Sequence, residues 1–436
     1  MSTSNAALAE RNRAVGKVLG QVTESAQVDF LECLFMEIVT SEDRSFVTLL
    51  AGHRCVLVVE DDRDVDNKLH ELMGNLPQIP DVTNTPEDWL SASSEFSDPW
   101  GSMQWYYGGS LKGSSYDVGM NWMTSWNRPQ NPWPSPVMIY ANECLLYVPD
   151  VQWAPVVCPN GQRSAGWDFA DNDSGVSIAV GGGLQGTGML SIIGGASNND
   201  LGIVGSCPSC VVFCAKVMTD EGKIRRSAVV RAMNFSSVLG IRVGLHSYGH
   251  ADFSMVELQA FGKTAYLNQI HVTPAGDEGD WLGRSVFDYP ALYDTENIVV
   301  VGATDRNGLL EYYTNRGPYV QVFAPGRDII AVWDSKAESL LPATGSACAA
   351  ALVASALGHA FASFPDASLS DMKRAISQSA PFGRVRSMEG QAGILNVRLL
   401  LDNLDDDSPS TNPAPFNSSK TATVSLVAFV TAALLF

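Results

Sequence analysis

The sequence predicts an α/β fold: a doubly wound parallel sheet with helices on both faces, preceded by a small α+β domain. Three observations carry this. Short apolar strands alternate with helical patterns from about residue 135 onward. The chain holds 38 glycines, which suits many tight strand-to-helix turns. Its 436 residues exceed one small core and suit one large domain plus a smaller one.

Taken in order, residues 1 to 25 are a polar lead, and residues 1–75 together form the small domain. Phe30 to Val39 is mostly apolar, and Val56 to Val59 are consecutive β-formers followed by Glu60, Asp61 and Asp62. Asp64 to Asn75 reads as helix. Residues 76–98 carry three prolines among polar residues and read as a linker. Residues 99–402 form the large domain, which opens with the aromatic cluster Trp100, Trp105, Tyr106, Tyr107, Trp122, Trp126 and Trp133. Strands are expected at Val137–Tyr140, Val211–Val217, Ile241–Leu245, Ile270–Thr273 and Ile298–Val301, with helices at Ser227–Val238 and Ser346–Phe364. In such a sheet the site lies at the carboxyl ends of the strands. Residues 403–436 are a polar spacer and an apolar tail.

The net charge of -19 repels phosphate backbones, so nucleic acid is excluded as a partner. Eight cysteines allow disulfides. Cys207-Pro-Ser-Cys210 with Cys214 begins like a zinc site, but a fourth ligand at matching spacing is lacking, so no metal is expected. The first residues show no apolar signal-peptide core. Val424 to Phe436 is apolar and short for a bilayer span. With Asn417, Ser418 and Ser419 ahead of it, the tail reads either as a glycolipid-anchor signal or as a membrane-associating end. Asn172, Asn234 and Asn417 stand in glycosylation patterns, which matter only in a secreted chain.

The chemistry centres on Ala343 to Ser355. Thr344 and Gly345 present one hydroxyl, Ser346, at the start of a small-residue helix, where free N–H groups favour negative charge. A nucleophile and its oxyanion need that setting. A helix N-cap is the plainer reading of the same serine.

From about Pro99 to Leu401 the chain resembles the subtilisin-like serine proteases. The segment beginning TGSACAAALVASALGHAF resembles the one that carries the family's nucleophile, with Ser346 in the serine position. Tyr289 to Gly326 resembles the stretch ahead of it, and Gly166–Asp173 and Ser197–Pro208 resemble segments that bracket the family's histidine. Leu245 to Gly249 resembles the strand end lining the substrate cleft, which makes Ser247, Tyr248 and Gly249 substrate-binding candidates. Residues 26 to 65 resemble the propeptide, a small inhibitor domain that assists folding. The resemblance implies a subtilisin-like sheet, serine endopeptidase chemistry, a secreted or cell-surface location and, in some members, calcium.

The catalytic positions depart from the family pattern. Gln185 stands where the histidine base belongs, and an amide has no basic site to take the serine proton. Alignment on the apolar strand puts Tyr140 at the aspartate position; alignment on Pro149-Asp150 puts Ala141 there. Asp277 replaces the oxyanion asparagine, so an acceptor faces where negative charge develops. Asp173-Ser174-Gly175 spells the aspartate motif but has no apolar strand before it and reads as a turn. Losing the base costs roughly 10⁶ in turnover, and losing an oxyanion donor about 10² to 10³. The sequence therefore predicts a pseudoprotease that binds a peptide or protein in its cleft and keeps its own propeptide-like domain. The alternatives are an active endopeptidase using an atypical base, His246 or His250, and a membrane-displayed interaction protein.

Overall fold

The computed structural model describes residues 27–31, 36–40, 62, 64–66, 96–108, 119–123, 125–126, 134–177, 185–337, 340–380 and 392–405. Two compact units emerge: residues 1–61 with 408–436, and residues 62–407. In the first, β1 (Gln27–Leu31) and β2 (Met36–Thr40) pair antiparallel from Gln27↔Thr40 to Leu31↔Met36. The expected strand at Val56–Val59 and the C-terminal tail lie outside the described residues.

The second unit begins with β3 (Asp64–Asp66). The helix expected from Asp64 is replaced there by a strand, because β9 (Lys223–Arg225) supplies an antiparallel partner edge. The Arg225 guanidinium reaches Asp64 at 3.0 Å, and Asp62 accepts the Ser227 N–H at 3.0 Å. Asp62 thus caps α2 (Arg226–Val238), whose own N-cap residue, Arg225, makes no side-chain capping bond.

The body of the unit is a seven-stranded, wholly parallel sheet. Its strands are β4 (Ser135–Ala141), β7 (Gly166–Asp168), β8 (Cys210–Lys216), β10 (Val243–His246), β11 (Ile270–Pro274), β12 (Ile298–Thr304) and β13 (Val322–Pro325). Two short hairpins, β5 (Val156–Val157) with β6 (Arg163–Ser164) and β14 (Ile329–Val332) with β15 (Leu340–Ala343), lie outside it. The spatial order β13-β12-β11-β10-β4-β8-β7 reverses direction between β4 and β10. Parallel strands buried on both faces read as continuous apolar runs, which is why the sequence located five of them.

The helices fall on two faces. Residue Ala141 points toward α1 (Gln185–Gly194), while its neighbour Tyr140 bonds Ser236 of α2. Successive strand residues face opposite ways, so α1 lies on one face and α2 on the other. Helix α3 (Met255–Ala265) packs beside α2, and α4 (Ser346–Ser363) beside α1. Helices α5 (Leu369–Ser379) and α6 (Val397–Asp405) pack on each other, α5 opened by a Ser368–Asp371 capping box. By length and composition α4 passes as a membrane span, yet it is 94% buried and is the core helix of this unit.

Candidate active site

The topological reversal between β4 and β10 puts a crevice at their carboxyl ends. Helix α4 points its N-terminus at the same end of the sheet through one glycine turn. Gly345 sits at φ 153°, where a side chain is strained, and its N–H bonds the Gly326 carbonyl at 2.8 Å. A Cβ at Gly326 would meet Ala303 and the Gly345 carbonyl, so Gly326 lets this turn come close.

Ser346 is fully buried, and among the described residues its Oγ meets no base; the polar group beside it is the Asp277 carboxylate. Its backbone N–H, the group an oxyanion hole would present, donates to Asp277 Oδ1 at 2.8 Å. The other carboxylate oxygen lies 3.2 Å from where a Cβ on Gly345 would stand. Asp277 therefore caps α4 from outside the helix, at the N–H of Ser346. Burial pushes its carboxyl up to about 6, the Ser346 N–H and hydroxyl offset part of this, and the neighbouring Glu278 adds to it. Two residues on, burial and the Asp277 charge push the Cys348 thiol up, so it holds its proton and is no substitute nucleophile.

Gln185 is buried at the first turn of α1. A Cβ on the next residue, Gly186, would strike the Glu143 carbonyl and lie 2.9 Å from the Ala141 Cβ and 3.0 Å from Cys144 Sγ. The start of α1 is thus pressed onto the corner that follows β4, and the Cys144–Cys214 disulfide ties that corner to β8.

The two residues that alignment offers for the aspartate position, Tyr140 and Ala141, take opposite faces of the sheet. The Tyr140 ring stacks on His246 at 4.1 Å between centroids, and its hydroxyl donates to Ser236 at 3.2 Å, both on the α2 and α3 face. The residue turned toward the start of α1, at Gly186, is Ala141. The pleat decides this, and the methyl group carries no charge to orient a base.

Ser247 follows in register: His246 pairs with Tyr140, and the Ser247 N–H donates to the Tyr140 carbonyl at 3.0 Å. Ser247 therefore shares the Ala141 face; its Oγ is buried without a partner. Tyr248 turns back toward α3, where its hydroxyl lies 3.0 Å from His246 Nδ1. Gly249 leaves room for the buried Asp288 carboxylate, and the next residue, His250, exchanges backbone hydrogen bonds with Tyr289.

Neither histidine named as an atypical base serves Ser346. Both His246 ring nitrogens are engaged, by Tyr248 and His271, and His250 Nε2 sits 3.2 Å from the buried Glu257 carboxylate. Asp173-Ser174-Gly175 is a turn, closed by Gly175 N–H to Asp173 Oδ1 at 2.7 Å.

Sequence reasoning missed Glu143. It is buried beside the start of α1, and burial, offset by Lys216, pushes its carboxyl up to about 7. Lys216 itself lies between Asp168 at 2.6 Å and Asp220 at 2.8 Å. No sequence motif marks these residues, because they meet only through strand order.

Among the described residues no group of three or more His, Cys, Asp and Glu side chains converges as a metal cage. Asp98 and Asp150 come closest to the loop Ser197–Ile203, and backbone or amide N–H groups of that loop already cap their oxygens. Among the described residues these carboxylates therefore form no cage for the calcium that the resemblance implied. The Cys207-Pro-Ser-Cys210 motif forms a disulfide.

Comparison with known proteins gives the same fold and sequence kinship. The subtilase family model matches residues 170–412, more than half of the chain. Subtilisin DY of Bacillus licheniformis is 27% identical over 207 residues, covering 48% of this chain and 74% of its own length. Thermitase of Thermoactinomyces vulgaris is 28% identical over 187 residues, 43% of this chain and 64% of thermitase. A solved protease from Pseudoalteromonas arctica superposes with a TM-score of 0.60 at 19% identity, covering 71% of this chain and all of that one, which speaks for fold. With the seven-stranded parallel sheet and Ser346 heading its buried helix, the chain belongs to the subtilase family of subtilisin-like serine proteases.

Proposed function

We propose that the chain is a subtilase pseudoprotease that binds a peptide or protein in the former substrate cleft, along Ser247, Tyr248 and Gly249. One observation carries the reading: among the described residues the Ser346 Oγ meets no base, while its N–H is held by the Asp277 carboxylate. A nucleophile needs a base within hydrogen-bond reach and donors open to the oxyanion. Gln185 and Ala141 supply neither a base nor its orienting acid, and Asp277 brings negative charge to the site of the third requirement.

Residues 1–75 act in this reading as a retained propeptide-like domain, tethered through the 76–98 linker. The disulfides Cys144–Cys214 and Cys207–Cys210 fit an oxidising compartment, and a relative from Natrialba magadii is described as extracellular, so we place the chain outside the cytosol.

The test is a fluorophosphonate probe on the full-length protein, read by mass spectrometry at Ser346. No labelling is expected; labelling at Ser346 overturns the reading. Intact mass after expression is expected at the full-length value, and spontaneous cleavage near Ser97 would mean that the chain processes itself.

A further inference from the structure

A chain of buried hydrogen bonds runs under the cleft wall, away from the Ser346 site. Tyr248 hydroxyl lies 3.0 Å from His246 Nδ1; His246 Nε2 lies 2.9 Å from His271 Nδ1; His271 Nε2 lies 2.8 Å from Thr264 Oγ1. Thr264 Oγ1 donates to the Phe261 carbonyl at 2.7 Å and accepts from Asn297 Nδ2 at 3.0 Å. All of these residues are at most 2% exposed. Gly244 makes the approach of the rings feasible: a Cβ there would lie 2.9 Å from both His271 Nδ1 and the Tyr140 ring.

Chemistry allows one direction of protons along this chain. Among the described residues Tyr248 finds its acceptor in His246 Nδ1, so that nitrogen is bare and Nε2 carries the hydrogen. His246 Nε2–H then donates to a bare His271 Nδ1, and His271 Nε2–H donates to Thr264, whose hydrogen goes to Phe261. Reversal would leave the Tyr248 hydroxyl hydrogen buried without an acceptor.

We infer that His246 and His271 are positioning residues that lock Tyr248, and with it the Ser247–Gly249 wall, in a neutral, single-tautomer relay that a proton breaks. A proton on His271 Nδ1 would face the His246 N–H; one on His246 Nδ1 would displace the Tyr248 O–H from its acceptor. Among the described residues the groups packed around the rings supply no anion in contact: His246 meets Tyr140, Tyr248, Phe261 and His271, and His271 meets His246, Phe261, Tyr140 and Thr264. Glu257 lies beyond Tyr248, paired to His250 and Tyr293. Burial accordingly holds His246 well below the ordinary histidine range and His271 down to about 3. A histidine depressed in the fold adds stability above its unfolded value near 6.5 and loses it as pH falls below that value toward the folded one.

The function of the wall rests on the proposed peptide cleft, but the relay is tested without it. In full-length protein with ¹⁵N-labelled histidine, long-range ¹H–¹⁵N spectra are expected to show both rings as Nε2–H and still neutral at about pH 5. An Nδ1–H tautomer, or titration of either ring near the ordinary value, overturns the relay. In Tyr248→Phe, hydrogen exchange across residues 243–250 at neutral pH is expected to speed up about tenfold with β13 unchanged. Unchanged protection there overturns the positioning role. Fluorophosphonate labelling of Ser346 with an intact relay would instead count only against the pseudoprotease reading.

Discussion

Asp277→Asn changes one buried acid into a neutral group of the same shape. The Asp277 carboxyl rises from 3.8 to about 6 in the fold. At about 1.4 kcal/mol per pH unit, its ionised form costs the folded state ~3 kcal/mol relative to the unfolded chain. The sign follows from the raised value. The cost is absent below 3.8, grows as pH rises toward 6, and is complete above it. An asparagine has no proton to lose, and its Oδ1 still accepts the Ser346 N–H. The variant is therefore expected to match the parent within about 1 kcal/mol near pH 3.5 and to exceed it by a further ~3 kcal/mol near pH 8. Denaturant unfolding of both proteins across that range measures the difference. His246, His271, Glu143 and Asp150 are shared by parent and variant and cancel. A difference that stays flat with pH would refute the claim that a buried carboxylate occupies the oxyanion position.

Three further outcomes follow from the same geometry. Gln185→His alone is expected to leave Ser346 unlabelled by the fluorophosphonate, because Ala141 offers no orienting carboxylate and Asp277 still holds the N–H; labelling would show that the base was the one missing part. Gly186→Ala presses a methyl group onto Glu143, Ala141 and Cys144, and a loss of about 1–3 kcal/mol is expected in thermal unfolding; an unchanged Tm would mean that α1 does not sit against this corner. Removing the Cys144–Cys214 bridge with alanines opens a loop of 70 residues and is expected to cost about 4 kcal/mol, read by denaturant unfolding; a loss under about 1 kcal/mol would show that the corner after β4 is held by packing alone.

Much of the fold was legible because parallel strands buried on both faces write themselves as apolar runs. Val211–Val217 and Ile298–Val301 fall within a residue of one end or the other of the observed strands. Helix α1 was not legible. Its sequence QGTGMLSIIG is poor in strong helix formers, and burial between the sheet and α4 sustains it. Asp64–Asp66 became a strand because an edge 150 or more residues away was there to pair with it.

By itself the sequence determined the family scaffold, since this is a matter of residue identity in ordered motifs, and it is the source of the proposal that Ser346 holds the nucleophile position and Gln185 the histidine position. Tertiary structure decided the rest. Strand pleat and the pairing of β4 with β10 sent Tyr140 to one face and Ala141 to the other, a choice that period-two geometry leaves open until the register is known. Close approach of chain segments 69 residues apart set Asp277 on the Ser346 N–H. Parallel pairing of β10 with β11 brought His246 and His271 within hydrogen-bond distance and so made two separate histidines into one relay.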